Sequence, residues 1–144
     1  MMKKLTILLL SCLAVAQVHA AEWLTDLPKA LAKAKVENKL VLLHFTGSDW
    51  CPPCKELHTK VLSSKEFEEY ADKHYVLVEV DFPRRTKQPE ALKKANVALA
   101  DEFKIEGYPT VILLDPDRKQ VKNIVGYDGE TVTEYLAGLA VKGH

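Results

Sequence analysis

A short ordered series leading up to residue 54 limits the folds open to this chain. Leu40 to Phe45 is a nearly continuous apolar run with little alternation. That is how a strand covered on both faces reads. Thr46-Gly47-Ser48-Asp49 is a turn, and Trp50-Cys51-Pro52-Pro53-Cys54 follows it. Lys55 to Val61 then carries helical spacing, with Leu57 and Val61 on one face. A doubly covered strand that feeds a helix requires a sheet with helices packed against it.

The rest of the chain is consistent with that requirement. Thr25 or Asp26 can cap a helix that tolerates Pro28 in its first turn and carries Leu24, Leu27, Leu31 and Ala34 at helical spacing. Asn38 and Lys39 end it. Ser64 to Lys73 reads as a second short helix and Val76 to Phe82 as a Val-rich strand. Asn96 is placed to cap a helix from Val97 to Lys104. Thr110 to Leu114 and Gln120 to Val125 are strands joined by the tight turn Asp115-Pro116-Asp117, hence antiparallel neighbours. Val132, Tyr135, Leu136 and Leu139 mark a last amphipathic helix. The expected fold is α/β, with a mixed four-stranded central sheet. It is mainly parallel, ends in an antiparallel hairpin and is flanked by helices.

The N-terminus reads as a targeting segment. Lys3 and Lys4 precede an apolar run from Leu5 to Val15, too short for a comfortable membrane span. Val18-His19-Ala20 supplies small residues at cleavage spacing. The expectation is a signal peptide over residues 1–20, cleaved after Ala20, and a domain over 21–144. The product would be exported, periplasmic or secreted, with no stable membrane span after cleavage. Leu9-Leu10-Ser11-Cys12 loosely resembles a lipobox, which leaves a lipoprotein anchored at Cys12 as the weaker variant. Lys plus Arg number 20 and Asp plus Glu number 20, so no excess of positive charge points to nucleic acid. An apolar fraction of 47% suits a real core.

Removing the leader removes Cys12 and leaves Cys51 and Cys54 as the only cysteines. A disulfide-held scaffold would carry several spaced cysteines. One close pair in an oxidising compartment points to cysteine chemistry instead. Cys51 lies near a helix N-terminus, where the dipole and free N–H groups favour a thiolate, the nucleophilic form. Cys51 is therefore the candidate attacking thiol and Cys54 the candidate resolving thiol. Pro52 and Pro53 suit a first helical turn and stiffen the loop that holds the sulfurs close. Trp50 can cover one side of the pair. Zinc needs about four ligands, and no second C-x-x-C stands beside His44, His58 and His74. Haem attachment needs His where Lys55 stands. A Cu(I) carrier using both thiolates, a redox-inert adaptor and an inert structural disulfide remain the other readings.

The strand entering Trp50-Cys51-Pro52-Pro53-Cys54-Lys55, followed later by Gly107-Tyr108-Pro109-Thr110 before another strand, resembles the thioredoxin family over Trp23 to Val141. The resemblance is closest to small exported thioredoxin-like proteins with Phe-Thr-Gly-Ser-Asp-Trp-Cys, here Phe45 to Cys51, and Gly126-Tyr127 before the last helix suits that group. It implies a thioredoxin-like fold and a cis Pro109 packed against the cysteine pair. It also implies a substrate strand paired with the Tyr108 backbone. The implied activity is disulfide reduction or interchange on exported proteins. No organic cofactor is implied, and a separate redox partner recycles the pair.

Two departures stand out. The family's buried Asp in the strand before the motif is replaced by His44, read either as a proton relay or as a core histidine with a satisfied hydrogen bond. The dipeptide is Pro-Pro rather than Gly-Pro, which leaves the direction of electron flow open. Asp49 is read as capping the turn in preference to tuning the thiolate charge, Lys55 either as stabilising a nearby thiolate or as a solvated helix residue, Glu79 and Asp81 as solvent-facing, and Trp23 as a core or helix-packing residue. Arg84 to Lys94 holds five basic residues and one acid, Glu90. It reads as a solvated stretch, with docking of an acidic partner as the functional alternative. A monomer is the default.

Overall fold

The computed structural model describes residues 20–143. Apart from Ala20, the expected signal peptide lies outside the described residues. The elements run in order as β1 (Trp23–Leu24), α1 (Leu27–Glu37), β2 (Leu40–Thr46), α2 (Pro52–Leu57), a π-helical turn (His58–Leu62), α3 (Lys65–His74) and β3 (Tyr75–Asp81). Then come α4 (Glu90–Glu102), β4 (Thr110–Leu114), β5 (Gln120–Val125) and α5 (Val132–Leu139).

Local chemistry sets the helix ends. The Asp26 side chain accepts a hydrogen bond from the Lys29 N–H at 3.0 Å and starts α1. Asn38 ends that helix at φ 53°, a left-handed conformation that Asn tolerates better than most residues. Ser64 caps α3. Thr131 and Glu134 form a reciprocal capping box at α5.

The strands form one mixed sheet in the order β1-β3-β2-β4-β5. β1, β3 and β2 are parallel, and β4 and β5 are antiparallel to their neighbours. β2 is the middle strand, buried along its whole length. Side chains alternate across a strand. Leu40 and Leu42 therefore join one apolar cluster with Leu57, Val61, Phe67 and Leu139. Val41, Leu43 and Phe45 join a second cluster with Leu27, Ala30, Val78 and Ile112 on the opposite face. Each fully buried side chain of this size contributes about 1.5–3 kcal/mol.

Among the described residues the sheet has five strands rather than the expected four. The extra one is Trp23–Leu24, which pairs with Leu77 and Val78. Two residues are too few to show alternation, so Trp23 reads locally as a helix-packing residue. The helix expected from Val97 begins at Glu90 instead. Asn96 is not its cap. It is buried in mid-helix, and its Nδ2 donates to the Asp81 carbonyl at 2.9 Å. A tertiary hydrogen bond holds Asn96 where its local preference favours a helix start. The polar stretch 84–94 is correspondingly a loop followed by the first turn of α4.

Candidate redox site

The topology brings three chain segments to one end of the sheet. Thr46, the last residue of β2, is in register with Asp81 at the end of β3. Phe45 is in register with Thr110 at the start of antiparallel β4. The cysteine loop after β2, the segment 82–86 after β3 and the Gly107–Pro109 segment before β4 therefore converge. The Phe82 N–H donates to the Thr46 carbonyl at 2.9 Å and closes the seam between the first two.

Cys51 and Cys54 are joined by a disulfide. Cys51 is the N-cap residue of α2, with Pro52 and Pro53 in its first turn. Neither proline has an N–H to leave unpaired there. The Cys51 N–H donates to the Gly47 carbonyl at 2.9 Å, and the Lys55 N–H donates to the Cys51 carbonyl at 3.1 Å. Both sulfur-bearing residues are buried. The Tyr108–Pro109 peptide is cis, as the resemblance implied.

Trp50 is fixed from several sides. Its indole lies directly over Gly47, where any Cβ would collide with the ring. The indole Nε1–H donates to the Phe82 carbonyl at 2.7 Å. The Tyr108 ring meets it edge-on with centroids 5.8 Å apart, and the Arg84 guanidinium sits 3.6 Å from the ring centroid. Asp49, expected to cap its own turn, serves a different loop. Its carboxylate accepts from the backbone N–H groups of Arg84, Arg85 and Thr86 at 2.8–2.9 Å. These bonds, the Arg84 N–H first, hold the Asp49 carboxyl down at about 2. Ser48 is tied in the same way, with its N–H and hydroxyl both donating to Asp81. Asp81 is thus a structural acceptor, not a free surface charge.

Behind the disulfide lies a cavity of about 420 Å³ lined by His44, Cys54, Lys55, His58 and Glu79, with Ser48 at its side. His44 and Glu79 are neighbours in the parallel register of β2 and β3. His44 is buried, and among the described residues its Nε2 has no hydrogen-bond partner. Burial first, and the nearby His58 second, push its pKa down to about 3, so it is neutral at ordinary pH. The expectation of a core histidine with a satisfied hydrogen bond therefore fails at Nε2. Glu79 is half-buried rather than solvent-facing. Burial first, then the charge of Asp81, raise its carboxyl above the usual carboxylate range. Strand alternation carries the signal for this placement: Leu77 and Glu79 share a face, and Leu77 packs in the same cluster as Leu42. Phe82 and Arg84 had no comparable signal, because their contacts with Trp50 are tertiary. Among the described residues no group of three or more His, Cys, Asp or Glu side chains is arranged to hold a metal ion.

Residues 27–137 match the model of the thioredoxin-like domain. The chain belongs to the thioredoxin-like family. Over 93 residues it is 39% identical to the disulfide bond reductase DsbH of Chlamydia pneumoniae, covering 65% of this chain and 56% of that one. Over 138 residues it is 35% identical to the thioredoxin-related protein DsbJ of Chlamydia pneumoniae, covering 90% of this chain and 39% of that one. The chain thus spans about half the length of these curated relatives or less. Among solved structures, the DsbH oxidoreductase superposes with a TM-score of 0.75 at 34% identity, covering 83% of this chain and 84% of that one. A thioredoxin from Thermus thermophilus, at 23% identity, shares the fold with a TM-score of 0.62, covering 84% and 85%. The expected thioredoxin-like architecture is therefore present, with the cysteine pair at the end of the central strand.

Proposed function

We propose that this protein is an exported thiol–disulfide oxidoreductase that reduces disulfides of other exported proteins through Cys51 and Cys54. The observation that carries the reading is the Cys51–Cys54 disulfide itself, closed across the first turn of α2 at the convergence of three loops. The similarity to DsbH, a disulfide bond reductase, supports the direction. The basic, apolar and small-residue series ending at Ala20 supports export and cleavage there.

The cycle starts from the dithiol. Cys51 thiolate attacks one sulfur of a substrate disulfide, the substrate S–S bond breaks, and the departing sulfur takes a proton. Cys54 then loses its proton and attacks the Cys51 sulfur. The mixed disulfide breaks, the second substrate sulfur leaves, and the Cys51–Cys54 bond forms. Two electrons pass to the substrate, and a partner dithiol must return them before the next turn. Glu79 is the group in the rear cavity suited to take the Cys54 proton, since a carboxyl with a raised pKa is a better base than an ordinary one. His44 at about 3 is too weak a base for that task near neutrality. Trp50 and Tyr108 form the wall against which substrate lies, beside Pro109.

Cys51→Ser and Cys54→Ser separate the roles. Cys54→Ser accumulates mixed disulfides with substrate, visible on a non-reducing gel, whereas Cys51→Ser forms none and loses exchange. Full exchange by Cys51→Ser would overturn the assignment of the nucleophile.

A further inference from the structure

The 84–94 segment carries a cationic face that the exchange chemistry itself does not use, and its first residue, Arg84, lies against Trp50, the residue before Cys51. Arg84, Arg85, Lys87, Lys93 and Lys94 are all exposed, and among the described residues none makes an ion pair. Two carboxylates at this edge are already engaged. Asp49 is taken up by three backbone N–H groups, and Asp81 by Ser48. The loop is also held rigidly in place. Asp49, two residues before Cys51, fixes the backbone of 84–86, and the Arg84 guanidinium lies on the Trp50 ring. Behind this edge, Lys87 and Lys93 line a cleft of about 350 Å³ whose one acid is Glu90. The chain has zero net formal charge, so this concentration of cations is local, and Arg84 at its start reaches the ring of Trp50, the residue before Cys51.

We propose that this face selects substrate disulfides flanked by acidic residues, with Arg84, Arg85 and Lys87 receiving carboxylates as the disulfide reaches Cys51. The inference rests on the reading of Cys51 and Cys54 as an exchanging pair. The occupant is an acidic polypeptide segment rather than a lipid surface, because Arg84 lies on Trp50, part of the wall against which a substrate polypeptide is proposed to lie. Attraction between exposed charges acts mainly on the encounter rate and is screened within about 10 Å at 0.1 M salt.

The test uses the reduced protein and two synthetic peptides with the same internal disulfide loop, one flanked by Glu-Glu and one by Lys-Lys. Neutral bis(2-hydroxyethyl) disulfide serves as the reference. At low salt the Glu-flanked peptide is expected to react about tenfold faster than the Lys-flanked one. That ratio should fall toward one as salt rises. The double variant Arg85→Glu/Lys87→Glu should invert it, and Arg85→Ala/Lys87→Ala should bring it near one. A ratio near one in the unmodified protein at low salt, or one unmoved by both variants, overturns the proposal while leaving exchange intact. Binding to phosphatidylglycerol vesicles without peptide selectivity would also overturn it, in favour of a lipid surface. No reaction even with the neutral disulfide would remove the exchange reading, and this inference with it.

Discussion

Mild acid should destabilise this protein through His44, by an amount the structure sets. The imidazole is buried against Trp23, with ring centroids 5.9 Å apart, and the folded state holds its pKa down at about 3 against 6.5 for an ordinary histidine. A histidine with a depressed pKa contributes stability that is full above 6.5 and is lost as pH falls toward the folded value, because the unfolded chain binds the proton first. Between pH 7 and pH 5 the unfolded chain becomes protonated at this site and the folded protein does not. At 1.36 kcal/mol per pH unit below 6.5, the loss is ~2 kcal/mol by pH 5. Other groups titrate over the same range, so the comparison is with His44→Leu, which removes the titration and the unpartnered nitrogen together. Urea unfolding of both oxidised proteins at pH 7 and pH 5, followed by tryptophan fluorescence, gives the two stability differences. The gap should move by ~2 kcal/mol in favour of the variant on acidification. Parallel pH dependence of the two proteins would refute the claim that His44 is held neutral by burial.

Gly47→Ala should displace the Trp50 indole, because the new methyl group would occupy the space of the ring. In a Trp23→Phe background, red-shifted tryptophan emission reports that movement, and an unchanged spectrum would mean that the loop absorbs the methyl elsewhere. Asp49→Asn should loosen residues 84–86 by weakening acceptance from three N–H groups, read as faster hydrogen exchange at those amides. Acid should do the same only as pH falls below the ordinary carboxylate range toward about 2, where Asp49 takes up its proton; loosening already at pH 5 would contradict this. Glu79→Gln should slow resolution of the mixed disulfide by about a hundredfold and flatten its pH dependence, measured by rapid quench. An unaltered profile would remove Glu79 from proton transfer.

Much of the architecture was legible because its signals are local. The unbroken apolar run of Leu40–Phe45 marks the central strand, since burial on both faces leaves no polar alternation. Asp115-Pro116-Asp117 marks the last hairpin through turn chemistry. The cysteine pair was legible for the same reason, since Cys51, its prolines and the helix they open are contiguous. What escaped depends on contacts between distant segments. Trp23–Leu24 becomes a strand only because Leu77 and Val78 lie beside it. Asn96 has the profile of a helix cap, yet the Asp81 carbonyl holds it inside α4. Asp49 reads as a turn residue, and its larger task of gripping the loop 84–86 appears only when β3 is laid beside β2. Glu79 looks like a surface charge until the register places it next to His44.

If Cys51 and Cys54 cycle between dithiol and disulfide and donate electrons to other proteins, the pair has a reversible potential in the reducing range. Equilibrating the protein in glutathione buffers of graded ratio, then quantifying both forms after acid trapping, should give a two-electron couple at about −270 mV, where thioredoxin lies. A couple at about −120 mV, where strong oxidants lie, would rule out the reducing direction, and the absence of any reversible couple would rule out the exchange cycle.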